Sequence, residues 1–203
     1  MGESKVTRRF LQANYYAEPG RNDSLDVLRN LILLALRLGG KIDLPAIEWR
    51  LWRSLRENDA NSWLVTEEYQ NATHWGEAED FGVDDPELRA ALQDADDQGF
   101  SPHDIHLLME ANRLGEEKHS ERLQIATFPK GMPSGIIDEW LNARCDHIAK
   151  ASGVPPLARV FQTRVSGTRF GQTQIWLTYG NGIEDNLTDN CQAPRCEYFS
   201  RGF

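Results

Sequence analysis

The sequence predicts an α+β fold that is mostly helical, and three observations predict it. Residues 25–38 are apolar nearly all round a helical wheel, as expected of a central, buried helix. Several later segments repeat their apolar residues at helical spacing between recognisable start and stop signals. Only near the C-terminus does the period change to two, over 158–165 and 172–179, as in the arms of an antiparallel β-hairpin. The expected arrangement is a mainly helical core over 1–157 built around helix 25–38. The hairpin and an irregular tail, 158–203, would pack on the same single domain. The alternative is an α/β fold opening with an N-terminal βαβ unit.

Each element has its own justification. Residues 9–16 (RFLQANYY) suit a short strand, followed by the turn-rich AEPGRND. Ser24 is a good N-cap for helix 25–38, which Gly39 and Gly40 end. Residues 41–44 suit a second strand. Pro45 fits the first turn of a helix reaching about 58, with Ile47, Leu51 and Leu55 on one face. Asp85 and Pro86 open a helix to about 98. Ser101-Pro102-His103-Asp104 resembles a capping start for another, ending at Gly115, and a short helix is expected over 116–125. Ser134 would cap a helix over 136–151 with Ile137, Trp140, Leu141, Cys145 and Ile148 inward. No internal repeat is evident.

Composition narrows the function classes. The chain has 203 residues, 40 % hydrophobic and 26 % charged, ordinary proportions for a protein that folds around a core. No apolar run is long enough to span a membrane, and the N-terminus lacks a signal-peptide core, so a cytoplasmic protein is expected, with the nucleus as a second compartment. A net charge of −9 argues against direct binding to nucleic acid or an anionic membrane. Three cysteines are too few for a disulfide scaffold.

The charge is concentrated. Glu77, Glu79, Asp80, Asp84, Asp85, Glu87, Asp94, Asp96 and Asp97 lie within 76–99 against one base, Arg89, and so carry nearly the whole net charge. The leading functional expectation is a soluble interaction or regulatory protein that engages a basic protein partner through this acidic surface, 77–97. Complementary charge would set association rate and specificity, and binding would weaken with salt.

Three metal readings, for a divalent ion such as calcium or zinc, form the alternative. Asp94, Asp96, Gln98, Gly99 and Asp104 follow the order of a calcium loop between two helices, but Ile105 stands where the closing bidentate Glu belongs. His103, His106 and Glu110 fall on one face of the helix expected there and would suit a metal-dependent hydrolase or oxidoreductase, with Glu116-x-x-His119 as a further pair. Cys145, His147, Cys191 and Cys196 offer four zinc-compatible ligands that would staple the tail to the last long helix. Cys145 or Cys191 with His147 or His119 is the corresponding nucleophile arrangement.

The opening carries one further suggestion. Leu28-Arg29-Asn30 with Gly39-Gly40-Lys41-Ile42-Asp43-Leu44-Pro45 resembles the start of fucosyltransferase-like glycosyltransferases, over about a tenth of the chain. The resemblance implies a transferase whose βαβ loop and helix N-terminus bind an anion, and it ranks below the metal readings.

Overall fold

The computed structural model describes residues 9–17, 24–39, 48–55, 63–116, 121–165, 170–180 and 194–201. In chain order its elements are β1 (Phe10–Tyr16), α1 (Ser24–Gly39), β2 (Glu48–Ser54), β3 (Trp63–Tyr69), α2 (Ala72–Asp84) and α3 (Pro86–Asp97). There follow β4 (Asp104–Leu114), β5 (Arg122–Phe128), α4 (Ser134–Ser152), β6 (Leu157–Val165), β7 (Thr173–Tyr179) and β8 (Arg195–Arg201).

The strands close into one barrel in the order β1-β3-β2-β8-β5-β7-β6-β4, with β4 pairing back to β1. Every ladder is antiparallel. Eight strands enclose just enough room for side chains to fill. Here Leu11, Ala13, Tyr15, Trp52, Leu64, Leu108, Leu123, Ile125, Phe161, Trp176 and Phe199 fill it, with every strand contributing. The helices pack outside. Ile32 of α1 and Ala95 of α3 join Leu51, Trp63 and Val65 over one side of the wall. On the other side Ile137, Leu141 and Ile148 of α4 cover Ala126, Ile175, Leu177 and Tyr198.

This architecture overturns the mostly helical α+β expectation: the core is the barrel interior, and helix 24–39 lies outside it, with Leu33 51 % exposed. The α/β alternative fails too, because every ladder among the described residues is antiparallel; the second strand expected of its βαβ unit, 41–44, lies outside them. The helix expected over 45–58 is strand β2 where it is described, the helix over 101–114 is β4, and part of the short helix over 116–125 is β5. The tail, expected to be irregular, supplies β8. The expected strand 41–44 lies outside the described residues. Helix α4 forms where expected, but its N-cap is Pro133, without a side-chain capping bond.

One cause underlies most of these errors. A barrel strand covered by helices is buried on both faces, so its apolar residues run together instead of alternating. In β4, Leu108 faces the interior while Leu107 and Met109 lie buried on the opposite face, and the continuous run imitates a helix stripe.

The chain is also internally duplicated. The first half runs β1-α1-β2-β3-α2-α3-β4 and the second β5-α4-β6-β7-β8, each with its strands ordered last-first-third-second. The two sheets join edge to edge through β2–β8 and β4–β6. Matching the ladders pairs Gln12 with Gln124, Tyr69 with Tyr179, Arg50 with Arg159 and His106 with Glu197. The repeat invisible in the sequence is therefore explicit in the topology. The second half has no described counterpart of α2 and α3.

Candidate functional site

Helices α2 and α3 carry the acidic block. Asp85 caps α3, accepting the backbone N–H groups of Glu87 and Leu88 at 2.9 and 2.8 Å, and Pro86 fits the first turn. Leu88 and Ala95 form the buried stripe of α3, which turns Glu87, Asp94, Asp96 and Asp97 to solvent. Glu77, Glu79, Asp80 and Asp84 are exposed as well, and Asp85 is half-buried. Arg37 at the end of α1 reaches Glu87. Eight of the nine acids thus decorate two consecutive helices on the outside of one half of the barrel, and Asp85 caps the second of them.

Beneath α2 lies a carboxyl that sequence reading missed. Alternation along β3 sends Leu64, Thr66 and Glu68 inward and Glu67 outward, under the helix. Asn14 Nδ2 donates to Glu67 Oε1 at 2.8 Å and Tyr69 Oη donates to Oε2 at 2.5 Å. Burial pushes this carboxyl up to about 7, with the Glu79 charge adding to the effect and the two hydrogen bonds opposing it. Burial, then Asp80, also raises Glu79, against a hydrogen bond from Gln12. Gln12 in turn accepts from Trp75 Nε1 of α2 at 2.8 Å. Only recognition of strand β3 would have exposed it, because a Glu-Glu pair inside a strand turns one carboxylate to each face.

The other of that pair belongs to a charged girdle inside one barrel mouth. Arg159 Nη1 meets Glu68 at 2.9 Å and its Nε meets Glu110 at 2.9 Å. Arg9 reaches Glu68 at 2.8 Å, and Arg113 bridges Glu68 and Glu110 at 3.2 and 2.8 Å. Burial would raise Glu68, but Arg159, helped by Arg9 and Arg113, holds it below its ordinary range. The recess lined by Glu68, Arg50, Arg159, Trp52, Trp176 and Thr178 has about 20 Å³ of room, enough for about one water molecule.

The metal-ligand sets are dispersed. His106 and Glu110 sit on a strand, both facing inward but towards opposite barrel mouths, while His103 is exposed before the strand begins. His106 meets Asp104 at 2.9 Å and Gln174 at 3.2 Å, and stacks obliquely on Tyr15. The calcium-like loop is the end of α3: Gly99 takes a left-handed turn (φ 84°), Ser101 bonds Asp96, and a strand follows where the second helix was expected. Asp94 is tied to Gln98 Nε2 at 2.9 Å. Cys196 is buried on β8, Cys145 is half-buried on α4, His147 is exposed, and Cys191 and His119 lie outside the described residues. Burial, with Asp146 adding and Arg144 opposing, pushes the Cys145 thiol up to about 11, which disfavours a thiolate nucleophile. No group of three potential ligands that could hold a metal ion occurs among the described residues. No helix among them is long and apolar enough to cross a membrane.

No family model and no curated protein matches the chain. Among solved structures it is similar in fold to a candidate monooxygenase from Fusobacterium nucleatum subsp. nucleatum, at 7 % identity over 97 % of this chain and 93 % of that one, with a TM-score of 0.55. It is likewise similar to a candidate chlorite dismutase, at 8 % identity over 96 % and 95 % of the two chains, with a TM-score of 0.52. At such identities the likeness is one of fold alone.

Proposed function

We propose that the protein works as an interaction or regulatory module that docks a basic protein partner on the acidic face of α2 and α3. The observation that supports the reading is the coherence of that face: nine carboxylates on two adjoining helices and the cap between them, eight of them exposed, with Glu79 the one drawn towards the barrel by Gln12. The surrounding positive charge is slight, since Arg89 is the block's lone base and Arg37 is spent on Glu87. Such a surface steers a cationic partner at long range and loses its hold as salt rises. The test is a pull-down and a binding isotherm at rising ionic strength, for wild type and for D84N/D85N/D94N/D96N/D97N. The expected result is at least a tenfold loss of affinity in the variant with a flattened salt dependence. Unchanged binding by a folded variant defeats the reading.

A second reading is favoured by Glu67. A buried, hydrogen-bonded carboxyl that exchanges its proton near neutral pH has the properties of a general acid–base group. It would make the protein an enzyme, and the two fold neighbours carry oxidoreductase names. The two readings separate on one variant: E67Q abolishes turnover under the second and leaves salt-dependent docking intact under the first.

A further inference from the structure

The duplication brings equivalent residues together at one barrel mouth. Tyr69 matches Tyr179, so Glu68 beside it matches Thr178; Arg50 matches Arg159, and Glu48 matches Leu157. All six of these, from Glu48 to Thr178, line a single recess of about 20 Å³. The recess therefore lies where the two halves meet, ringed by both members of each equivalent pair.

The pairs differ in chemistry. Arg159 meets the Glu68 carboxylate at 2.9 Å. By the same repeat, Thr178 stands to Arg50 as Glu68 stands to Arg159, so the second half offers a short hydroxyl where the first offers a carboxylate. Thr178 is 7 % exposed, and the pleat of β7 turns it inward with Trp176. Its Oγ1 is buried and takes no hydrogen bond among the described residues. The other hydroxyl of the recess is spoken for: Thr66 Oγ1 accepts from Trp52 Nε1 and donates to the Arg50 backbone oxygen, both at 3.4 Å. An unmade hydrogen bond at a buried hydroxyl costs its full desolvation, so a partner in the recess is favoured.

Charge and size select that partner. Glu68 is already shared among Arg159, Arg9 and Arg113. Arg50 is largely buried and pairs with Glu48, two residues away on the same strand and 54 % exposed. A carboxylate so far into water holds a guanidinium weakly. Two arginines and a free hydroxyl call for an acceptor, and room for about one water-sized atom excludes a carboxylate, sulfate or phosphate.

We propose that the recess binds one monatomic anion, of chloride's size, between the Arg50 guanidinium and the Thr178 hydroxyl. The ion takes the place of the carboxylate that the second half lacks. A water there would satisfy Thr178 and bring no charge to Arg50. The site is inside the barrel, and so is independent both of docking on the outer face of α2 and α3 and of Glu67, which points outward.

The test uses the whole protein with sodium chloride as probe, sodium gluconate holding the ionic strength constant. The melting temperature of the wild type rises and saturates with chloride; at ten times the half-saturating concentration the folding equilibrium shifts about elevenfold. The chloride NMR line broadens in the presence of the protein. T178V keeps the shape of the side chain without the hydroxyl and loses both responses, whereas T178S keeps them. Should T178V misfold, T178A removes the same hydroxyl without adding bulk. A wild type indifferent to chloride by both readouts, because water or an acid of the chain's own fills the recess, overturns the proposal. So does a response that T178V or T178A retains in full, which would mark an adventitious ion only.

Discussion

Glu67 and Leu177 occupy equivalent places in the two halves of the barrel, each facing across its ladder the outward-pointing glutamine of its half's first strand, Gln12 or Gln124. Leucine is what a wall packed against a helix calls for. The carboxyl is the departure, and it lies under α2, an element with no described counterpart in the other half. Around it the match holds: Tyr69 and Tyr179, like Gln12 and Gln124, are the same residue in both copies. The acid is one of several departures between the copies, since its partner Asn14 matches Ala126 and His106 matches Glu197, and it is the one that lies beneath the helices carrying the acidic face.

Glu67 gives stability a definite pH dependence. In the folded chain its proton leaves at about 7, against an ordinary value of 4.5, because burial disfavours the charge. Folding therefore binds a proton between those values. The stability it contributes is complete below about 4.5, falls as pH rises towards 7, and is flat above. A span of that width corresponds to on the order of 3 kcal/mol. Urea midpoints from pH 4.5 to 8 are expected to fall across this window for wild type and to vary much less for E67Q. Parallel curves for the two proteins would remove the carboxyl from the account.

Arg159 works in the opposite pH direction. It is 8 % exposed and stands between Glu68 and Glu110, so R159M strands two largely buried carboxylates with Arg113 and Arg9 as their remaining partners. The expected loss is about 3 kcal/mol by chemical denaturation. Glu68 sits below its ordinary range, so its contribution is present at neutral pH and is lost as pH falls through the acid range. R159M is expected to shrink that acid-side loss. In a double-mutant cycle, E68Q/R159M should cost less than the sum of the single changes; strict additivity would mean that the pair does not interact.

How much of this was legible in the sequence depends on what each residue faces. Helices α1 and α3 were readable because their signals are local, the Gly39-Gly40 stop, the Asp85-Pro86 start and the stop at Gly99; α4 was readable from the spacing of its apolar residues, not from the expected Ser134 cap. The β6–β7 hairpin was readable because its strands bracket a turn. Strands β4 and β5 were not, since burial on both faces erases the alternation that marks a strand, and β2 was masked by Pro45 and the helix-like spacing of Ile47, Leu51 and Leu55. Residues 107–109, Leu-Leu-Met, read the same whether a helix or a doubly covered strand buries them. The acidic face was visible as composition alone. Glu67 and Arg144 were hidden for a different reason, because a charged residue on an apolar face is assigned to solvent until three-dimensional packing closes over it.

Two glycines separate strain from crowding. Gly99 and Gly115 both have left-handed backbones, with φ of 84° and 85°. A Cβ on Gly99 meets nothing within 4 Å, whereas one on Gly115 would lie 2.9 Å from the backbone oxygen of Pro156. G99A should cost about 1 kcal/mol, the backbone penalty alone. G115A must also push back the chain entering β6, and a loss of at least about 2 kcal/mol is expected from thermal or urea unfolding. Equal losses would show that β6 yields without cost.

Asp85 has two jobs, and the variants D85A and D85N tell them apart. Its carboxylate is one of the nine acidic charges of the proposed docking face, and its Oδ1 also accepts the Glu87 and Leu88 backbone N–H groups that open α3. Alanine removes both the charge and the cap, and should cost about 1 kcal/mol of stability. Asparagine removes the charge and keeps an oxygen for the cap, so D85N should melt within about 0.5 kcal/mol of wild type. If docking depends on charge, the two variants lose partner affinity equally at low salt, despite their different stabilities. If docking depends instead on the order of α3, affinity tracks stability: D85A weakens and D85N does not.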